Sequence, residues 1–140
     1  MNILVSACLL GENCKYNGGN NFNQAVVDYI QGHSIISSCP EMLSGLGCPR
    51  ECVEIIDGVF TTKSGKNVTA EFQKGVALAM EQVYAQKIDL AILQSRSPSC
   101  GVNQIYNGTF QGALMQGEGL FAKTLKDAGI PVMDCEDIQP

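Results

Sequence analysis

Short, unbroken apolar runs alternate along this chain with stretches of helical periodicity. Asn2 to Ser6 (NILVS) predicts a strand that is apolar on both faces, as strands inside a parallel sheet are. His33 to Ser37 (HSIIS) predicts a second and Asp89 to Leu93 (DLAIL) a third. Between the first two, Asn23 to Gln31 carries Ala25, Val26, Tyr29 and Ile30 on a short helix that Gly32 ends. The clearest helix runs from near Val68 to about Gln86, where Phe72, Val76, Ala79, Met80 and Val83 recur at three- and four-residue spacing. Thr69 is its expected N-cap, and Glu71 sits in the first turn, where the helix dipole favours negative charge. A final helix is expected over Leu120 to Ala128, closed by Gly129, with a last strand at Pro131 to Met133. Gly58 to Thr62 reads as a short extended piece. Glu41 to Glu54 holds too many Gly, Pro and Cys residues for a regular element, and Gly101 to Gly119 reads as a long glycine-rich loop. The alternation predicts an α/β fold: a small, single-domain, Rossmann-like three-layer arrangement with a mostly parallel sheet and right-handed crossovers.

Composition narrows the picture. The 140 residues fit one domain, 1–140, and 45% hydrophobic against 16% charged residues allow a sizeable core. A net charge of −5 and only nine scattered Lys and Arg argue against nucleic-acid binding by phosphate neutralisation. Apolar runs stop well short of the roughly 18 residues that a membrane helix needs. MNILVSACLLG shows no basic stretch leading into a long apolar one, so a cytoplasmic protein is expected, with no membrane partner. Seven cysteines, an odd number in a reducing compartment, do not suggest a disulfide framework. Metal or cluster ligation, thiol chemistry and plain burial remain.

Ligands of open parallel sheets bind outside the carboxyl ends of the strands. Each of the three best strands runs into a cysteine there: Cys8, Cys39 and Cys100. Parallel strands bring those ends to one edge, so three thiols distant in sequence would meet. Any one free cysteine is ordinarily a packing residue. Three at strand ends, each followed by Gly or Pro within a few residues, are harder to explain as packing. Cys14, in the first loop, is the reserve ligand. Cys48 and Cys52 have a three-residue spacer that could suit zinc, but no His or second close pair accompanies them. Cys135 reads as incidental, and His33, the lone histidine, as a packing or surface residue.

Several motifs in order carry a resemblance. Val5-Ser-Ala-Cys-Leu-Leu-Gly11, Cys14-Lys-Tyr-Asn-Gly18 and Cys39-Pro-Glu41 are followed by Gly45-Leu46 and Pro49-Arg50. Val68-Thr69 with Phe72 and Gly75, Arg96-Ser-Pro-Ser-Cys-Gly101 and Ile105-Tyr-Asn-Gly-Thr-Phe110 continue the series. Over almost its whole length the chain resembles the DUF523 family, which includes thiouracil desulfurases. It departs from the family pattern at Ser44, at Gly47-Cys48 and at Cys52, which places extra thiols near Cys39.

The resemblance implies a [4Fe–4S] cluster held by three cysteines, here Cys8, Cys39 and Cys100, with the fourth iron open. It also implies a small thiolated pyrimidine as substrate, whose sulfur is removed without redox change. An open iron would act as a Lewis acid on a thiocarbonyl sulfur, which is a soft donor. Glu41, two residues past Cys39 and stiffened by Pro40, is the expected acid/base; a solvated loop carboxylate is the ordinary alternative. Ser97 and Ser99 are expected to hydrogen-bond the substrate or to cap their loop. Arg50 and Arg96 would bind an anionic group or make surface ion pairs, and Tyr16, Tyr106 and Phe110 would stack on a ring, with Phe110 otherwise in the core. Glycines 108, 112, 117 and 119 offer a weak anion-loop pattern without P-loop spacing. The alternative reading is a non-enzymatic iron–sulfur, metal-binding or sulfur-carrier module. A thiol-disulfide oxidoreductase is less well supported, because CxxC is absent.

Overall fold

The computed structural model describes residues 1–138. In chain order its elements are β1 (Asn2–Ser6), a 3-10 turn (Ala7–Leu10), α1 (Gln24–Tyr29), β2 (Ser34–Ser38), α2 (Pro40–Leu43), β3 (Val53–Ile56) and β4 (Val59–Thr62). There follow α3 (Thr69–Tyr84), β5 (Leu90–Leu93), β6 (Gln104–Tyr106), β7 (Leu114–Gln116), α4 (Leu120–Asp127), β8 (Val132–Asp134) and a second 3-10 turn (Cys135–Asp137).

Four strands form one parallel sheet in the order β2-β1-β5-β8. Side chains alternate across it. Leu4, Ala91 and Leu93 face α3 and α4, meeting Val76, Ala79, Met80, Phe121 and Leu125. Ile3, Val5 and Ile92 face the other way, onto Val26 and Ile30. The expected three layers and mostly parallel sheet are therefore present. The chain turns to opposite sides of β1 after β1 and after α3, so the strand order reverses between β1 and β5, where such sheets bind ligands. Among the described residues, no helix is long and apolar enough to cross a membrane.

Two antiparallel hairpins, β3–β4 and β6–β7, lie outside this sheet; β4 is the extended piece expected over Gly58 to Thr62, whereas β3, β6 and β7 were not expected as strands. The first turns through Asp57 (φ 49) and Gly58 (φ 80), both left-handed, as a type I′ hairpin requires. Its Phe60 packs on Phe72 of α3, ring centroids 4.7 Å apart, beside Val53 and Val68. Thr69 is not the N-cap of α3. Helical itself, it accepts a hydrogen bond at Oγ1 from Phe60 N (2.9 Å), while Asn67 Oδ1 accepts from Thr69 N (2.9 Å).

α2 is one turn long and packs on α3 at Gly75. A methyl group at Gly75 would overlap the carbonyl oxygen of Pro40, so only glycine lets the Cys39-Pro40-Glu41 segment lie this close. Gly75→Ala is expected to lower stability by about 1–3 kcal/mol through overpacking. Urea denaturation checks this.

Candidate active site

Cys8 lies in the 3-10 turn after β1, Cys39 directly after β2, and Cys100 in the turn after β5. All three line one cavity of about 490 Å³ at the carboxyl edge of the sheet. The local backbone pins each of them. Cys8 O accepts from Asn21 N (3.0 Å), and Cys39 O accepts from Met42 N and Leu43 N, both at 3.1 Å. Ser97 Oγ accepts from Cys100 N (3.1 Å). The first turn of α4 is capped by the same loop, with Phe121 N donating to Ser99 O at 2.8 Å. A methyl group at Gly119 would overlap the Ser99 carbonyl group.

Cys14, the reserve ligand, reaches the same cavity and hydrogen-bonds both Cys8 and Cys39. Its donated bond is the main reason that the Cys8 thiol is lowered to about 7; Asn21 Nδ2 adds a contact at 3.5 Å, and burial opposes both. Cys39 is lowered for the same leading reason. Cys14, with one proton to share between Cys39 and Cys8, is pushed up, and burial adds to the shift. Burial pushes Cys100 up, partly offset by the hydroxyls of Ser6 and Ser99.

Glu41 stands at the same cavity, held at both carboxylate oxygens. Oε2 accepts from Ser99 Oγ (2.9 Å) and Ser97 Oγ (3.1 Å), and Oε1 accepts from Arg50 Nη2 (3.3 Å). The Arg50 and Glu41 side chains are only 7% and 16% exposed, so Glu41 is not a solvated loop carboxylate. The same burial corrects the expectation for Arg50. It makes no surface ion pair: it also donates to Cys14 O and Gly47 O, each at 3.0 Å, while its buried Nε has no partner. Arg96 does form the half-exposed pair expected of it, 2.6 Å from Glu136.

Tyr16, Tyr106 and Phe110 line the cavity. Phe110 is half-buried at its rim rather than in the core. Glu54, which the sequence reading passed over, holds Phe110 there, its Oε1 accepting from Gly108 N (2.9 Å) and Phe110 N (3.1 Å). The glycine segment is thus no anion loop: Gly108 N serves Glu54, and Gly117 N and Gly119 N serve Asn103 O and Gly101 O. Cys48 Sγ contacts Asn13 O (3.3 Å) and Lys15 O (3.0 Å), tying down the first loop. Cys135 is buried on the α1 face, and His33 meets the N-terminal amine at the surface.

The donor set fits a group larger than one ion. Among the described residues, no three Cys, His, Asp or Glu side chains are placed to hold a single metal ion, yet five cysteines, Cys8, Cys14, Cys39, Cys52 and Cys100, line one cavity. The same wall holds Ser38 Oγ, buried and without a partner, as a hydroxyl facing an acceptor outside the chain would be.

A parallel α/β sheet with strand-end thiols and a serine-held carboxylate around one cavity defines a small α/β protein with a thiol-lined site. More particularly, the chain belongs to the 2-thiouracil desulfurase family, whose profile matches residues 3–137. This bears out the DUF523 resemblance. The chain is 38% identical over 143 residues to the uncharacterized protein YbbK of Bacillus subtilis (strain 168), covering 94% of this chain and 93% of that one. A solved structure of the [4Fe–4S]-dependent thiouracil desulfidase TudS (DUF523Vcz) matches with a TM-score of 0.89 and 39% identity, over 98% of this chain and 92% of that one.

In iron-free protein, a small alkylating reagent should modify Cys8 increasingly as pH rises through about 7, since the thiolate reacts and its share grows there. Cys100, pushed up by burial, should stay unmodified over the same range. Mass spectrometry of the labelled peptides checks the order.

Proposed function

We propose that this chain removes sulfur from thiouracil or a related thiolated pyrimidine by a non-redox hydrolysis, with a [4Fe–4S] cluster held by Cys8, Cys39 and Cys100. The observation that carries this reading is the Glu41 carboxylate, fixed by Ser97, Ser99 and Arg50 at the cavity the three thiols line. The net change is C=S plus water giving C=O plus hydrogen sulfide.

When bound, the cluster supplies a soft Lewis acid for the thiocarbonyl sulfur at the iron without a cysteine ligand. Cys8 and Cys39 are already biased towards thiolate, whereas Cys100 must lose its proton to ligate. Glu41 takes a proton from water as its oxygen adds to the ring carbon, then returns one to the departing sulfur. Ser97 and Ser99 hold Oε2 in place. Arg50 holds Oε1 and balances its charge. Tyr16, Tyr106 and Phe110 stack on the pyrimidine. Residues 1–140 act as one domain, working in the cytoplasm, where the thiols stay reduced. A sulfur carrier or binding module would need the thiols but not a buried, serine-held carboxylate, which favours turnover.

Anaerobically reconstituted protein should hold about four iron and four sulfide per chain. Cys8→Ser, Cys39→Ser and Cys100→Ser should each lose them, and Cys135→Ser should keep them. Glu41→Gln should keep the cluster and lose about 10²–10⁴-fold in kcat on thiouracil, read by the decay of thiocarbonyl absorbance. Native turnover by Glu41→Gln would contradict the assignment.

A further inference from the structure

β2 ends on a hydroxyl for which the proposed reaction has no use. Ser38 is 5% exposed, its Oγ finds no hydrogen-bond partner, and it lines the cavity immediately before Cys39. Such a group normally has an acceptor, because a buried hydroxyl left unpaired forfeits its hydration without return.

The sheet register shows which face that hydroxyl is on. Ser38 pairs with Ser6 across β1 and β2, and residues in register on parallel strands point to the same face. Ser6 Oγ accepts from Gln94 N (3.0 Å), and Ser6 lines the same cavity as Cys100. Ser38 therefore extends a row of hydroxyls on the side of the sheet where one of the thiols sits. Ser6 has a hydrogen-bond partner within the chain, and Ser38 has none.

We infer that Ser38 is a positioning residue that donates its hydroxyl proton to a sulfur atom of the bound cluster and thereby raises the cluster's reduction potential. This rests on the cluster reading above. Hydrogen bonds to the sulfurs stabilise the extra negative charge of the reduced state, and they are one of the main determinants of potential.

The test uses reconstituted native protein, Ser38→Ala and Ser38→Thr, with the midpoint potential followed by EPR during redox titration. Ser38→Ala should have the lower potential, by about a tenfold change in the oxidised-to-reduced ratio, or about 59 mV for one electron. Ser38→Thr keeps a hydroxyl and should restore the native value. Native protein exchanged into deuterium oxide should show a deuteron coupling to the reduced cluster that Ser38→Ala lacks. If Ser38→Ala fails to retain a cluster while Ser38→Thr retains it, and the iron-free forms melt alike, the hydroxyl is again the anchor. An unchanged potential in Ser38→Ala, or a Ser38→Thr variant that behaves like Ser38→Ala, overturns the inference and leaves the cluster assignment standing. Native protein that forms no cluster overturns both.

Discussion

Parallel pairing of β1 with β2 on one side and β5 on the other is the constraint on which this site depends. In that register Ser6 lies beside Ser38, and Val5 lies between Ser37 and Ile92, so the chain leaves all three strands at one edge. Cys8 and Cys39 follow directly from β1 and β2, and Cys100 is brought there by the loop after β5. A slip of one residue in either pairing would turn Ile3 and Val5 out of one core and Leu4 out of the other, so burial on both faces enforces the register. The geometry of the thiols follows from the packing of the sheet, without a disulfide or a local motif to hold them.

Two close approaches convert that shared edge into a site. Gly75 lets α2 settle onto α3, which sets Glu41 behind Cys39, and Gly119 lets α4 seat on the Ser97–Cys100 loop. Glu41 then receives Ser97 and Ser99 from the β5 side and Arg50 from the segment before β3. The carboxylate therefore joins loops from across the sheet. Removing its charge would leave Arg50 buried without its ion partner, a more damaging change than losing a surface pair.

What the sequence made legible was whatever had a period or a position relative to one. NILVS forms the strand it predicts, DLAIL one shorter by Asp89, HSIIS one displaced by a residue, and the apolar stripe of Phe72, Val76, Ala79, Met80 and Val83 is the buried face of α3. The strand-end placement of Cys8, Cys39 and Cys100 followed from topology, and the cluster from the family resemblance. Of the hairpin strands only β4, within Gly58 to Thr62, was legible by the same means. Strand β7 is exposed throughout and has no apolar alternation to show, although Asp57-Gly58 did carry a hairpin signal for β3–β4. Contacts made by aperiodic loops were hidden too: Cys14 between two thiols, Arg50 buried against Glu41, and Glu54 holding Phe110 at the rim. Such pairings depend on where loops cross in space, which spacing along the chain does not encode.

The central claim is that three thiolates, not four, hold the cluster, leaving one iron for substrate beside Glu41. Mössbauer spectroscopy of protein reconstituted with ⁵⁷Fe tests it most directly. One iron in the cluster should differ from the other three, and its parameters should change when thiouracil is added. Four equivalent irons, or a spectrum indifferent to thiouracil, would contradict the account.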